Sequence, residues 1–292
     1  MPMNGLLSPG DAWQMLEVDG RERKYLLHVP SSYNPAQPAA LVLAFHGGGS
    51  TPEQMVGFCG LNDKSNQQGF VVVYPKGTGR SEQYSSFNGG NCCGFAVKYD
   101  VDDVKFTARL LDDMQATFNI DPRRIYATGM SNGGVMCYRI ASELSDRIAA
   151  IAPVAGTIGS EDCRPARPVP VMHFHGTRDE YIPLAGGKGR RSLSRVDFFS
   201  VQHAIDCWIR ANGCPAEPAV RELPDVQEEA MPVTQSVWGP GRDGAEVVLY
   251  VIEGGGHTWP GRAPTLPMLG RSTLNISAND LMWDFFKRHP RP

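Results

Sequence analysis

The segment from Ile125 to Gly134 has the residue types of a nucleophilic catalytic site. An apolar run typical of a buried strand ends in Gly-x-Ser-x-Gly around Ser131, and apolar residues at helical spacing follow. A strand, a tight turn and a helix around a central serine expose its hydroxyl to substrate. A side chain at Gly129 or Gly133 would crowd the neighbouring strand or helix. The alternative is a glycine-rich turn whose serine only caps the helix.

An acid and a histidine should follow this kind of serine turn in that chain order. Asp179 comes shortly after an apolar run that is typical of a strand, with Glu180 as its nearest competitor. His257 follows a later apolar run through a glycine-rich loop, which packing does not explain. His203 lies in the middle of a predicted helix and His289 at a helix end, so both have simpler explanations. We therefore expect Asp179 and His257 to complete the site, although Asp179 could instead only shape a turn.

The chemistry requires these residue types. A serine hydroxyl is a weak nucleophile at neutral pH and must lose its proton as it attacks. His257 can take that proton, while Asp179 holds the imidazole tautomer and stabilises the imidazolium. The backbone N–H groups of Asn132 and of Gly48, in the glycine loop after a buried strand, are expected to bind the oxyanion. By itself the glycine loop could equally be a plain loop without a ligand.

Strands alternate with helices along the chain, which predicts an α/β fold with a mostly parallel sheet and helices on both faces. Most strands are continuous apolar runs, as expected for strands that are covered on both faces. No interdomain linker is recognisable, so residues 1–292 are expected to form one domain, with residues 1–15 loosely ordered. Asp102 and Asp103 open a helix, where carboxylates favour the positive end of the dipole. The predicted strands are Arg23–Val29, Ala39–Phe45, Phe70–Tyr74, Ile148–Val154, Val169–Phe174, Val233–Trp238 and Ala245–Ile252. The predicted helices are Asn62–Gln68, Arg195–Asn212 and Ser277–His289. Pro75–Asp100 is predicted to be a long loop, and loops of this length are usually functional.

Composition excludes several classes of protein. The chain has 292 residues, 41% of them hydrophobic, and a formal charge of −3 without a basic run, which argues against nucleic-acid binding. No apolar run reaches the about 18 residues that span a bilayer. The N-terminus lacks a leader pattern, which favours either a cytoplasmic protein or one whose leader has been removed. We predict no cofactor and no metal, because the cysteines lack metal-ligand spacing.

Seven cysteines leave at least one thiol free. Cys137 falls on the helix behind Ser131, where a small buried thiol is expected. One disulfide between the loop of Cys92 and Cys93 and another loop is an open interpretation, and its partner cannot be read from the sequence. The oligomeric state is left open between monomer and homodimer.

Five motifs together resemble the polyhydroxybutyrate depolymerase/feruloyl esterase-like group of α/β-hydrolases, near carbohydrate esterase family 1. The resemblance covers roughly Leu16 to the C-terminus. It implies an α/β-hydrolase fold and a secreted or periplasmic serine esterase with Ser131, Asp179 and His257 as catalytic residues. It also implies that Trp259 faces the acyl or aromatic part of the substrate. The motifs are Phe45-His46-Gly47-Gly48-Gly49, the Asn91–Gly94 loop before Val101–Val104, Gly129–Gly134, Phe174–Asp179 and Gly256–Gly261.

The favoured function is a carboxylic ester hydrolase acting on feruloyl or short-chain acyl esters, either small or linked to polysaccharide. His46, Tyr84 and Phe87 join Trp259 as expected substrate contacts. The alternatives are a polyester depolymerase and an acetyl xylan esterase. A peptidase of related fold is disfavoured because no propeller or cap domain is recognisable, and a catalytically inactive binding scaffold because all three expected catalytic residues are present.

Overall fold

The computed structural model describes residues 9–192, 194–264 and 266–292. Within these residues the chain forms fourteen strands and seven α-helices. The strands are β1 (Gly10–Val18), β2 (Arg21–Val29), β3 (Ala39–Phe45), β4 (Val71–Pro75), β5 (Thr78–Ser81), β6 (Tyr84–Ser86), β7 (Ile120–Met130), β8 (Ala150–Val154), β9 (Val171–Gly176), β10 (Gly187–Lys188), β11 (Asp197–Phe198), β12 (Ala219–Leu223), β13 (Val233–Trp238) and β14 (Val247–Ile252). The helices are α1 (Pro52–Cys59), α2 (Leu61–Gln68), α3 (Gly94–Lys98), α4 (Asp103–Thr117), α5 (Asn132–Glu143), α6 (Val201–Asn212) and α7 (Ala278–Arg288).

Ten of the strands form one sheet in the order β1-β2-β4-β3-β7-β8-β9-β14-β13-β12. The six central strands, from β4 to β14, are parallel, whereas the two strands at each edge pair antiparallel. The predicted α/β fold with a mostly parallel sheet is therefore confirmed. Because parallel strands share one carboxyl edge, the segments that follow β3, β7, β9 and β14 meet on one side of the molecule.

The core has two parts, one on each face of the sheet. Along β3, Leu41, Leu43 and Phe45 face one cluster with α4, α5 and α6, while Val42 and Ala44 face the other with α1, α2 and α7. Both faces are thus covered, which explains why the central strands are continuous apolar runs rather than alternating ones.

Several boundaries follow directly from local sequence. Ala39–Phe45 and Val233–Trp238 are strands with the predicted bounds. The helix predicted at Arg195–Asn212 begins only at Val201, because Ser200 caps it by accepting a hydrogen bond from a backbone N–H of the first turn.

Two predictions about irregular segments need correction. Residues 10–15 are not loosely ordered but form the start of β1, which pairs with β2 along its whole length; residues 1–8 of that prediction lie outside the described residues. The segment Pro75–Asp100 is not a plain loop, because it contains the β5–β6 hairpin and helix α3. In the described parts of the chain, no helix is both long and apolar enough to cross a bilayer.

Candidate active site

Ser131 occupies the turn between β7 and α5 with φ 58° and ψ −121°, a conformation that residues with a side chain rarely adopt. The turn is crowded on both sides. A Cβ at Gly133 would lie 2.1 Å from the Phe45 carbonyl oxygen, and one at Gly129 would lie 2.6 Å from the Gly133 carbonyl carbon. The flanking glycines therefore allow β7, the turn and α5 to pack closely enough to lift the serine out of the sheet.

The glycine loop after β3 lies against this turn. The Cβ positions of Gly47 and Gly48 are 3.5 Å from the Ser131 Cβ and 3.6 Å from the Asn132 Cβ, respectively. Among the described residues, neither the Gly48 N–H nor the Asn132 N–H donates a hydrogen bond to a protein acceptor. Two backbone donors thus stand unused at the border of one cavity, beside the serine. Such donors can bind a developing negative charge.

The side chain of Asn132 has a separate, structural task. Its Oδ1 accepts a hydrogen bond from the Phe87 N–H at 2.7 Å, and its Nδ2 donates to the Phe87 carbonyl oxygen at 2.9 Å. This pair of bonds fixes the segment after β6 against the start of α5. The main-chain N–H of Asn132, in the first turn of the helix, takes no part in that pairing.

His257 and Asp179 are hydrogen-bonded to each other although 78 residues separate them. Their Nδ1 and Oδ2 atoms are 2.6 Å apart. The second oxygen of Asp179 accepts from the N–H groups of Tyr181 and Ile182 at 2.8 and 2.9 Å. The His257 backbone N–H donates to the Leu269 carbonyl oxygen at 2.7 Å. Both partners are therefore held in place by the main chain of neighbouring loops.

Asp179 is ionised in this setting. Burial raises the pKa of this carboxyl, but its charge interaction and hydrogen bond with His257, together with the Ile182 N–H, outweigh burial and lower the pKa below the ordinary value. An ionised carboxylate only accepts hydrogen bonds, so His257 carries its proton on Nδ1. The other ring nitrogen, Nε2, is then a proton acceptor.

Ser131 and His257 border the same cavity, which has a volume of about 960 Å³. In this structure the Ser131 hydroxyl makes no hydrogen bond with His257 or with any other described residue. Hydrogen bonds between catalytic groups are often long in ligand-free enzymes and shorten when substrate binds. Tyr181 stacks on the imidazole of His257, with ring centroids 4.8 Å apart, and limits how far the ring can move.

A chain of buried polar groups continues from the site into the core. Tyr138 OH donates to His173 Nδ1 at 2.8 Å, His173 Nε2 donates to His175 Nδ1 at 3.0 Å, and His175 Nε2 donates to the Ile182 carbonyl oxygen at 2.8 Å. With both imidazoles neutral, every donor in this chain meets an acceptor. Burial lowers the pKa of both His173 and His175, which agrees with neutral rings. His175 thus supports the loop of Asp179 as an uncharged neighbour.

Three of the expected substrate contacts are wrong, because the structure places their side chains in the core. Trp259 is 1% exposed and its Nε1 donates to Asn279 Oδ1. Phe87 is fully buried and packs edge-to-face on Phe45. His46 is fully buried as well.

His46 and Tyr84 have different positions relative to the cavity. His46 bonds to the Gly47 carbonyl oxygen through Nδ1, at 2.7 Å, and supports the glycine loop from behind. Tyr84 is 67% exposed and borders the cavity, with its Cδ1 3.8 Å from the Cβ position of Gly49. Contact between Tyr84 and substrate stays a prediction.

The apolar wall of the cavity was not foreseen from the sequence. Its members come from separate loops and helices, and no local pattern distinguishes them from ordinary core residues. They include Met55, Phe58, Phe95, Phe198, Leu266 and Leu269.

The role of Asp103 was also missed in the sequence analysis. Instead of only favouring the start of α4, its carboxylate is fully buried and pairs with Arg23 at 2.6 Å. Its other oxygen accepts from the Asn88 N–H at 2.7 Å. Arg23 also lies over the Phe106 ring, 3.9 Å from its centroid. The ion pair therefore anchors the loop that precedes α3, next to the site, while Asp102 is the exposed helix cap.

The remaining competitors lie elsewhere. Glu180 is half-buried and pairs with Arg191 and Arg190. His203, on α6, bonds to the Glu161 carbonyl oxygen. His289, which follows α7, bonds to Glu246. None of these borders the cavity that contains Ser131.

The cysteines differ from the interpretation of a bridge between two loops. The sulfur atoms of Cys92 and Cys93 lie next to each other, and within the described residues the other five cysteines are free. Cys137 is fully buried on α5, in agreement with the expectation of a small core thiol.

Comparison with known proteins identifies the family. The prolyl oligopeptidase family, Peptidase_S9, matches residues 62–161, a stretch that contains Ser131 but ends before Asp179. NocK of Nocardia uniformis subsp. tsuyamanensis, whose name describes a provisional esterase, is 30% identical over 286 residues, which cover 92% of this chain and 80% of that protein. Feruloyl esterase B of Piromyces equi is 30% identical over 246 residues. The chain belongs to the same esterase family as NocK.

This esterase spans 42% of the length of feruloyl esterase B, with 80% of its own chain aligned. Among solved structures, acetyl xylan esterase from Aspergillus awamori superposes with a TM-score of 0.62 at 14% identity, over 94% of this chain and 99% of that one. The superposition shows the α/β-hydrolase fold. The match to NocK and the Peptidase_S9 match identify the chain as a serine hydrolase that acts on esters, as the sequence predicted.

Proposed function

We propose that Ser131, His257 and Asp179 form a catalytic triad that hydrolyses hydroxycinnamoyl esters of polysaccharides through an acyl-enzyme. One observation supports this most directly. An ionised, buried Asp179 holds the imidazole of His257 at 2.6 Å, on the border of the cavity where Ser131 sits in a strained turn. Strain of this kind is concentrated at functional sites. The whole of residues 1–292 is proposed to act as one catalytic domain.

The reaction proceeds in two halves. The Ser131 oxygen attacks the ester carbonyl carbon while His257 Nε2 takes the hydroxyl proton, and the carbonyl oxygen becomes an oxyanion bound by the Gly48 and Asn132 N–H groups. The C–O bond to the alcohol then breaks, and His257 returns its proton to the leaving alkoxide. A water molecule repeats the sequence on the acyl-enzyme and releases the acid.

The shape and lining of the cavity support an aromatic acyl group. A volume of about 960 Å³ is far larger than an acetyl group requires, and Phe58, Phe95 and Phe198 contribute apolar aromatic surface beside the serine. Pockets of this kind bind aromatic groups by burying their faces and orienting them with a few polar contacts. The relatives named as feruloyl esterases agree with this preference.

The catalytic assignment is tested with methyl ferulate and matched pairs of variants. Ser131→Ala is expected to lower kcat by about 10³-fold or more, while Ser50→Ala, at the border of the same cavity, keeps it. Asp179→Asn is expected to lower kcat by about 10⁴-fold because the imidazole loses its tautomer control. Glu180→Gln changes the adjacent carboxylate, which does not border the cavity, and is expected to keep kcat within about twofold. Equal losses in the two carboxylate variants, or full activity in Ser131→Ala, contradict the assignment.

The acyl preference is tested with esters that share one alcohol. Because methyl ferulate and methyl acetate have the same leaving group, a difference between their kcat/KM values arises from the acyl group and not from the alcohol. We expect methyl ferulate to be preferred by about 10-fold or more, since the aromatic ring adds buried apolar area. A preference for methyl acetate would favour an acetyl xylan esterase, and clearing of a polyhydroxybutyrate suspension would favour a polyester depolymerase.

The proposed substrate also bears on where the enzyme works. A polysaccharide-linked ester cannot cross a membrane, so the proposal favours a secreted or periplasmic location. Fractionation of cells that produce the full-length protein tests this location.

A further inference from the structure

A second cavity, with a volume of about 830 Å³, adjoins the one that contains Ser131. The two share Gly49, Glu53, Gln54 and Tyr84 on their walls. The second cavity runs from Tyr84 toward the edge of the sheet and reaches Trp13 on β1. We call it the Trp13 groove. A ligand in the groove would be continuous with a ligand bound beside the serine.

Two exposed aromatic side chains border the Trp13 groove. Trp13 is 43% exposed and Tyr84 is 67% exposed, and both belong to the few large apolar side chains that face solvent in the described structure. A single exposed aromatic residue is ordinary on a protein surface. Two that border one polar groove leading to an active site indicate a binding surface.

The charged groups of the groove are balanced. Lys24 and Lys76 oppose Glu53 and Glu82, with Lys76 paired to Glu82 and the Lys24 Nζ 3.9 Å from the same carboxylate. A lining with two positive and two negative groups gives no net attraction to a charged ligand. The groove therefore favours a neutral one.

The uncharged polar groups have the character of partners for hydroxyl groups. Thr51, Gln54 and Gln83 each have groups that donate and accept hydrogen bonds, as sugar hydroxyls do. The Gln54 Oε1 accepts from Ser50 and from the Thr51 N–H, whereas its amide N–H groups make no hydrogen bond among the described residues and are available to a ligand. A pyranose ring combines such hydroxyls with apolar C–H faces that can stack on aromatic rings.

We propose that the Trp13 groove binds a neutral oligosaccharide, the sugar chain of an ester whose acyl group occupies the cavity beside Ser131. The inference rests on the proposed function and extends it to the alcohol side of the substrate. Trp13 stacks on a sugar ring remote from the ester, while Tyr84, at the junction of the two cavities, lies beside the sugar that bears the acyl group.

The groove and the oxyanion donors are mechanically connected. The Gly49 N–H donates to the Ser85 carbonyl oxygen at 2.8 Å, and Ser85 Oγ donates to the Ser50 carbonyl oxygen at 3.0 Å. These bonds join the β5–β6 hairpin, which bears Tyr84, to the loop that bears Gly48. A sugar held in the groove is thereby positioned relative to the reacting carbonyl.

The first test measures binding without turnover. Xylohexaose, a neutral hexasaccharide, is titrated by calorimetry into Ser131→Ala protein and into the same protein with Trp13→Ala added. Loss of one stacking contact is expected to raise Kd by about three- to tenfold. Met15→Ala is the matched control, because Met15 lies two residues further on the same exposed face of β1 but outside the groove. It is expected to change Kd by less than about twofold.

The second test measures the alcohol preference of the active enzyme. KM is determined for a feruloylated xylo-oligosaccharide and for methyl ferulate, which has no sugar for the groove. The KM for the feruloylated xylo-oligosaccharide divided by the KM for methyl ferulate is expected to rise about three- to tenfold in Trp13→Ala. The same ratio should stay near the wild-type value in Met15→Ala and return toward it in Trp13→Tyr. Recovery by Trp13→Tyr separates stacking from loss of the fold.

The outcomes separate this inference from the proposed function. Unchanged xylohexaose binding in Trp13→Ala overturns the inference, and so does a failure of the Ser131→Ala protein to bind the hexasaccharide. Tighter binding of a uronic-acid-containing oligosaccharide than of xylohexaose overturns the neutral ligand class. If no ester is hydrolysed but Trp13→Ala still weakens xylohexaose binding, the proposed function fails and the groove assignment stands.

Discussion

Replacing His46 by glutamine tests whether a neutral, buried imidazole supports the glycine loop. His46 Nδ1 donates to the Gly47 carbonyl oxygen at 2.7 Å, and its Nε2 accepts from the Gly77 N–H at 3.0 Å and lies 3.3 Å from Ser85 Oγ. Protonation of Nε2 would remove the acceptor of the Gly77 N–H. Burial lowers the pKa of His46 from its ordinary value of 6.5 to about 4.

The sign and size of the pH effect follow from this difference. Below pH 6.5 the unfolded chain binds a proton at His46, whereas the folded protein does so only near pH 4, so stability is lost as the pH falls through that window. Each unit of pKa difference corresponds to about 1.4 kcal/mol. The imidazole of His46 should therefore lower the free energy of unfolding by about 2 kcal/mol between pH 7 and pH 5.

The assay is urea unfolding of wild type and His46→Gln at pH 7, 6 and 5. Glutamine keeps one donor and one acceptor but does not titrate, so the variant should be less sensitive to acid than wild type by about 2 kcal/mol over this range. His203→Gln, which removes a partly exposed imidazole on α6, is the control for loss of a histidine. His173 and His175, the pKa of both lowered by burial, account for acid sensitivity that remains in the variant.

Two results would refute the reasoning. One is an equal dependence of stability on pH in wild type and His46→Gln. The other is a histidine NMR titration in which the His46 ring of the folded protein gains its proton near pH 6.5 rather than near pH 4. Either result would mean that the imidazole is not held neutral by burial.

Three further changes probe the packing around the site by urea unfolding. Gly133→Ala is expected to destabilise the fold by more than about 3 kcal/mol, because its Cβ would meet backbone 2.1 Å away, whereas Gly57→Ala, with open space around it on α1, should stabilise by about 0.5–1 kcal/mol. Asp103→Asn leaves a buried arginine without its partner and should cost about 3–5 kcal/mol, whereas Asp102→Asn keeps the helix cap and should cost less than about 0.5 kcal/mol. Asn132→Ala removes the partners of the buried Phe87 N–H and Phe87 carbonyl oxygen and should cost about 1–3 kcal/mol. Equal changes in stability in the two glycine variants or in the two aspartate variants would contradict these assignments. So would an Asn132→Ala protein as stable as wild type.

The sequence by itself determined the α/β class and the chain order of the expected catalytic residues. Both depend on local patterns. Continuous apolar runs such as Ala39–Phe45 identify strands with two covered faces, and the glycines around Ser131 stand where the turn leaves no space for a side chain. The sequence analysis missed the antiparallel edge strand β12, because Ala219–Leu223 is mostly exposed and has no apolar pattern.

Tertiary structure alone decided which side chains face the cavities. Trp259 and Phe87 have the residue types of substrate contacts but are covered by neighbours from distant segments, and burial of that kind leaves no local signal in the chain. Trp13 and Tyr84 come together because β1 and the β5–β6 hairpin border one groove, although the two residues are far apart in the sequence. Periodicity tells a residue's face within its own element; what covers that face depends on elements far away in the sequence.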